Sequence, residues 1–404
     1  MKVRSGLAAA ALALAGAALP ACATVNRSPP LRDFADGRYE AARAWYEADM
    51  AADPAAEILD RNELGTVALA QGDVAGAHRH FAEAYTGMDD LTSTTGESTG
   101  AILGPESSKT WKGDPYERCM NAYYLGVTYW MLGDPDNAAA SFKQGLLRDA
   151  DSEKGDAQSD FTLLWFLLGM AQREAAHEDR GAAALAKAAQ LKSKNPWLDP
   201  AKAADANVLL VLDLGLGPAK VATGPHGSIL RFVRRPYRAS YADVTADGAS
   251  LGRTYRAVEV FHQATTRGEK TIDHINQGKA VFKDAAVVTG AFVLQNSGSR
   301  TSDAIGAGLI VAGLLMPAES DLRQWDTLPG EVHVLTAKLE PGEHRLRVEV
   351  REASDAPMPE FSREIVVTVR PGHLTFVWTR ATLPGQRRTG PPQVIGADRM
   401  EARP

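Results

Sequence analysis

Four stretches of the chain carry one frame of small and aromatic residues at matching offsets, and that frame limits what the first half can become. They read Gly37…Ala42…Tyr46…Pro54, then Leu64-Gly65…Gly72…Ala77…Phe81…Ala84, then Leu125-Gly126…Tyr129…Gly133…Ala138…Phe142, and finally Trp165…Leu168-Gly169…Leu185…Ala188. A glycine and a later alanine let two helices approach closely, and the aromatic fills the seam beside them. The pattern places helices over 37–51, 57–70 and 74–85, with Asp53-Pro54 and Gly72-Asp73 as the breaks. A third pair opens at Asp114-Pro115, an acidic cap followed by proline at the first helical position, and turns through Gly133-Asp134-Pro135. A fourth covers 161–175 and 180–191, and Asn195-Pro196 closes the array. Residues 86–113 interrupt it with Thr-, Ser- and Gly-rich sequence that is long for a compact domain, which marks it as mobile or functional.

This frame resembles the tetratricopeptide repeat, a helix–turn–helix unit that stacks into a curved solenoid. The resemblance implies recognition of a protein partner, with the first helix of each pair lining the concave face. Carried over to this chain, the partner-binding candidates are Asn62, Met120, Tyr123, Val127, Trp130, Phe166 and Met170. A groove of aromatic and Met side chains poor in Lys and Arg suits an apolar helix or strand and not a terminal carboxylate. Its occupant is an envelope protein or peptide, or the chain's own distal domain. Burial of some of these side chains between the helices is the competing reading.

The amino terminus supplies an address. Lys2 and Arg4 precede an apolar stretch from Leu7 to Leu19, too short to span a membrane, which is the pattern of a secretory signal. Its end, Leu19-Pro20-Ala21-Cys22, resembles a bacterial lipobox, which implies acylation of Cys22; cleavage after Ala23 is the alternative. Ala23 stands where an Asp would imply inner-membrane retention, so the implied location is the periplasmic face of the outer membrane. Asn26 to Pro30 reads as a short extended tether. Cys119, in an apolar-periodic run, reads as a buried core thiol.

A narrower resemblance rests on two motifs. Trp111-Lys112-Gly113-Asp114-Pro115-Tyr116-Glu117-Arg118 and the later Asp321-Leu322-Arg323-Gln324-Trp325-Asp326-Thr327-Leu328-Pro329 are similar to motifs of an uncharacterised Gram-negative family of repeat-bearing outer-membrane lipoproteins. That resemblance implies an architecture and a location, and no activity. The motif residues it singles out are Trp111, Lys112, Gly113, Tyr116, Glu117, Arg118, Asp321, Arg323 and Trp325.

Past Ala204 the pattern turns mixed. Short apolar runs at 208–212, 229–233 and 257–261 read as strands, 271–294 as a helix, and 304–316 as an apolar, glycine-containing core helix or hairpin. Val332 to Val350 reads as a hairpin around Pro341-Gly342-Glu343-His344. Phe361 to Trp378 repeats the scheme around Arg370-Pro371-Gly372-His373. The expected fold is multidomain: an all-α tetratricopeptide solenoid, then a mixed α/β region ending in a small antiparallel sheet or sandwich. Its layout is a signal peptide at 1–21, a tether at 22–30, the repeat domain at 31–200 with its insertion at 86–113, a mixed α/β domain at 201–330, hairpins at 331–380 and a disordered tail at 381–404.

Charge divides unevenly. Residues 31–200 hold 28 acidic and 16 basic side chains, whereas 201–404 hold 22 acidic and 25 basic, so the repeat half argues against nucleic acid and anionic lipid as ligands. Chemistry is sparse. Gly248-Ala249-Ser250-Leu251-Gly252 matches a nucleophile-elbow pattern but sits at an Asp247-Gly248 turn. His78 and His80 point to different faces of a helix, and no metal or nucleotide motif occurs, so no cofactor is expected. The favoured function is a non-enzymatic lipoprotein adapter or scaffold. The alternative is an envelope enzyme with its site in the distal domain and the repeats selecting its substrate or partner.

Overall fold

The computed structural model describes residues 26–89, 109–151, 161–191, 196–223, 229–267, 321–381 and 393–395. The helical region comprises α1 (Ser28–Ala35), α2 (Tyr39–Ala52), α3 (Glu57–Gln71), α4 (Val74–Asp89), α5 (Pro115–Met131), α6 (Pro135–Asp151), α7 (Thr162–Glu174), α8 (Glu178–Leu191) and a short α9 (Pro200–Asp205). Neighbouring helices pack pairwise, and the repeated frame explains how. A Cβ placed on Gly65 would lie 2.5 Å from the Phe81 ring, one on Gly126 2.4 Å from Phe142, and one on Gly169 2.7 Å from Leu185. Each glycine therefore seats the bulky side chain of its partner helix directly against its own backbone. Gly72 and Gly133 take left-handed backbone at the helix-pair turns, with φ of 87° and 80°.

The tether expected at 26–30 is not extended. Ser28 already begins α1, with Pro29 and Pro30 in its first turn, where their missing N–H groups cost nothing.

The distal half consists of several small sheets. A five-stranded sheet runs β11-β10-β1-β7-β6, with β1 (Val208–Leu214) parallel to β10 (Thr375–Ala381) and antiparallel to β7 (Glu331–Ala337). β6 (Tyr255–Glu259) forms one edge and leads straight into α10 (Val260–Arg267), and β11 (Gln393–Ile395) pairs with β10 at the other. A four-stranded antiparallel sheet runs β5-β4-β8-β9, from β4 (Ala239–Ala246), β5 (Ala249–Arg253), β8 (Gly342–Glu352) and β9 (Arg363–Val369). β2 (Ala219–Thr223) and β3 (Ile229–Val233) form a separate ribbon.

Three layers result. Val208, Leu210, Leu212 and Leu214 of β1 face the four-stranded sheet and meet Leu346, Val348, Ile365 and Val367. Leu209 and Val211, with Phe376 and Trp378 of β10, face the helices and share one core with them. A strand covered on both faces has no use for alternation, which is why 208–212 is continuously apolar while β8 and β9 alternate.

The expected hairpins are corrected accordingly. β7 and β8 do not pair, nor do β9 and β10; the ladder that forms is β8 with β9, Gly342 opposite Val369. The division at residue 330 falls away as well, because β1 lies between β10 and β7. Residues 393–395, placed in the expected tail, form a strand. The segments 271–294 and 304–316 lie outside the described residues. Gly248 occupies the β4–β5 turn with φ of 86°, and Ser250 is exposed on β5. Among the described residues no helix is long and apolar enough to cross a membrane.

Candidate functional site

The groove side of the helices is occupied by the chain's own distal half. Trp130 of α5 stacks on Phe376 of β10, with ring centroids 4.8 Å apart and planes at 13°. The Tyr123 and Tyr124 hydroxyls donate to the two oxygens of Asp213 at 2.9 and 2.6 Å. Asp213 projects from β1 on the helix-facing side, and burial raises its pKa even though Arg380 and both phenols favour the carboxylate. Met120, Val127, Phe166 and Met170 are at most 1% exposed. Phe166 meets Trp197 edge-on at 5.2 Å. Asn62 accepts from the Asn121 amide at 2.8 Å and donates to the Ile58 carbonyl at 3.1 Å. These side chains were expected to meet either an external partner or the chain's own distal domain. Of the two occupants expected, the distal domain fills the space, because β1 and β10 bury apolar side chains on both faces and the helices cover the second one.

The two sequence motifs, some two hundred residues apart, meet in this seam. The Glu117 carboxylate closes its own helix by accepting from Asp114 N at 2.7 Å, and its other oxygen accepts from Trp325 N at 2.7 Å. Trp111 Nε1 donates to the Arg323 carbonyl at 3.3 Å. The Arg323 guanidinium donates to the carbonyls of Lys109 and Ala55 at 2.7 and 3.2 Å and to the Asp321 carboxylate. Trp325 Nε1 donates to Thr66 Oγ1 at 3.0 Å. Tyr116 packs edge-on against Phe232 at 5.7 Å. Lys112 Nζ reaches the Gly87 carbonyl, and Arg118 Nε donates to the carbonyls of Lys112 and Gly113. Gly113 itself takes φ of 74° in the approach to α5. The motifs are thus the two halves of an internal clasp.

Several clasp residues carried no motif. Glu63 accepts from Asp326 N at 2.7 Å, Thr327 N at 3.2 Å and the Thr327 hydroxyl. Complete burial, with Asp326 close by, raises its pKa to about 8. Burial likewise lifts Glu117 to about 7, against the pull of Lys220. Lys220 Nζ pairs with Asp114 at 2.9 Å and donates to the Arg323 carbonyl at 2.9 Å. Asp213 had a legible signal, a lone acid within an unbroken apolar strand. Glu63 had none, since an acid on a helix is ordinarily solvated.

Beside the clasp the distal half opens into a cleft of about 700 Å³. Arg234, Arg238 and Arg256 stand around it, 57, 65 and 55% exposed, paired with Glu259, Glu352 and Glu331, which are 23, 19 and 13% exposed. Tyr255 and Phe261 add aromatic surface, and the Arg234 guanidinium lies 3.9 Å from the centre of the Phe261 ring. Tyr237 is pinned between Gly215 and Gly330, where a Cβ on either would come within 2.5 Å of its ring. Deeper in the wall, Thr254 Oγ1 and His333 Nδ1 are 3.3 Å apart, and His333 Nε2 lies 2.8 Å from Glu331. Thr254 is 2% exposed, and its Oγ1 accepts from Ala242 N at 2.9 Å, so this line joins β4 and β7 through the residue between β5 and β6. Among the described residues no group of three or more His, Cys, Asp or Glu could hold a metal ion. Cys119 is buried, with Sγ 3.5 Å from the Gly145 carbonyl.

Among solved structures the chain is similar to a thermophilic TPR protein of Thermus thermophilus, at 21% identity and a TM-score of 0.21, over 44% of this chain and 98% of that one. No family model and no curated protein matches the chain.

Proposed function

We propose that the protein is a non-enzymatic adapter of the bacterial cell envelope, acylated at Cys22 and held on the periplasmic face of the outer membrane. Its recognition surface is the distal cleft. The observation that carries this reading is the filled groove: the anchors that would have gripped a partner grip β1 and β10 instead. Among the described residues, the arginine-rimmed cleft is then a surface left for recognition. Its guanidinium groups lie outermost with their carboxylates behind them, so an acidic segment of an envelope protein fits it. Arg234 and Arg256 are more than half exposed, so an incoming carboxylate can add to their guanidinium groups from the solvent side while Glu259 and Glu331 stay in place. A photo-crosslinker at Tyr255, in cells, tests this. Crosslinks to an acidic protein, lost when Arg234 and Arg256 are both changed to Glu, support it. Crosslinks that persist in the charge-reversed variant contradict it.

The enzyme alternative has one observation in its favour, the succession Thr254–His333–Glu331 in the cleft wall. A hydroxyl, an imidazole and a carboxylate in line is the arrangement that activates a nucleophile. A fluorophosphonate probe discriminates: labelling that disappears in Thr254→Val favours an enzyme, and an unlabelled folded protein favours the adapter.

A further inference from the structure

We infer that the protein rides directly on the membrane surface, because its tether ends at Arg27. The inference rests on the reading that Cys22 is acylated. Only Ala23, Thr24, Val25 and Asn26 separate Cys22 from Arg27. A chain of that length spans at most about 18 Å when fully extended.

Arg27 is fixed in the body of the helical half. Its guanidinium pairs with Asp49 at 2.7 Å and with Asp60, and it lies over the rings of Trp45 and Tyr46 at 5.4 and 5.3 Å. Its side chain is 9% exposed and that of Asp60 is wholly buried, so releasing Arg27 would strand a buried carboxylate. Burial alone would make Arg27 a weaker base, but Asp60 and Glu63 outweigh it and raise its pKa.

The helix that follows is held as firmly. Pro30, Phe34 and Ala35 are buried, and Phe34 packs with Tyr46, Leu64 and Leu216, the last from the distal half. The Arg380 guanidinium lies 5.0 Å from the centre of the Phe34 ring. The tether therefore cannot lengthen by peeling α1 away without disturbing both halves.

Attraction to lipid does not hold the helical half down, since 31–200 carries 28 acids against 16 bases. Tether length does. Glu63, next to Arg27 in this charge cluster, accepts from Asp326 N, and Asp326 pairs with Arg235 in the cleft wall. The cleft's inner wall is thus a few side chains from the anchor, and its partner is a protein that presents an acidic segment close to the bilayer.

The test uses full-length acylated protein in vesicles, with a fluorophore on Cys introduced at exposed Arg32, one helical turn beyond Arg27. Cys119 is buried and does not compete for the label. Nitroxide-headgroup lipids should quench the fluorophore. A 20-residue Gly/Ser insert after Ala23, which raises the mean reach of the tether from about 12 Å to about 27 Å, should reduce that quenching at least twofold. Quenching that the insert does not alter, in protein that carries a fatty-acid label at Cys22, overturns the short tether alone. Absence of that label overturns the anchoring reading and this inference with it.

Discussion

Glu117 joins two distant parts of the chain with one carboxylate. Its role as the closing residue of a helix start was legible from Asp114-Pro115 three positions earlier; its bond to Trp325 was not, because local sequence says nothing of which backbone N–H lies opposite. Glu63 and Glu117 together predict a pH dependence. Both fold with pKa values raised from 4.5, to about 8 and about 7, so between those limits the folded chain binds more protons than the unfolded one. Stability therefore falls as pH rises through this range, by up to about 1.4 kcal/mol per unit for each group. His78 and His80, whose pKa values burial lowers below 6.5, act oppositely only at more acid pH. Denaturant titrations at pH 6.5 and 8.0 should show the higher midpoint at 6.5, with a smaller difference in Glu63→Gln. Tyr124→Phe leaves the buried Asp213 short of one donor and should cost about 1–3 kcal/mol. A loss below that range would mean that water reaches Asp213.

At the scale of elements, the helix pairs were readable because each depends on a contact sixteen residues along the chain, glycine against Phe or Leu. Gly126→Ala drives a methyl into the Phe142 ring and should destabilise by about 1–3 kcal/mol. Phe142→Leu in the same chain should recover part of that loss, since the fourth unit natively opposes Gly169 with Leu185. No recovery would place the cost elsewhere. The strands were readable one by one, but their pairing was not. Pro341-Gly342 and Pro371-Gly372 look like hairpin turns, yet each connects the two sheets, because β7 and β10 are covered on both faces and β8 and β9 on one. The sequence marks that difference only in part: β8 and β9 alternate, but β7 and β10 carry Glu331, His333, Thr375, Thr379 and Arg380 and show no continuous apolar run. Trp111, on the approach to α5, is 3% exposed and tied to Ala55 and Arg323. Limited proteolysis should spare 111–118, and Trp111→Ala should open it to cleavage while lowering stability by about 3 kcal/mol or more.

For the whole molecule, an apolar, aromatic groove was legible, and which of its two expected occupants fills it was not. The strand Val208–Leu214 needed cover on two faces, and the helices supply one of them. The proposed adapter presents its distal cleft rather than its groove, and the proposed acylation predicts that Cys22→Ala releases the protein from the membrane fraction. The central claim is that α5 holds β10. A double-mutant cycle on Trp130→Ala and Phe376→Ala in the full chain, read by denaturant unfolding, measures it directly, since rings stacked at 4.8 Å couple by about 0.5–1.5 kcal/mol beyond their separate burial. A coupling in that range is the predicted result; losses that simply add, to within about 0.3 kcal/mol, would mean the groove does not hold the sheet in solution.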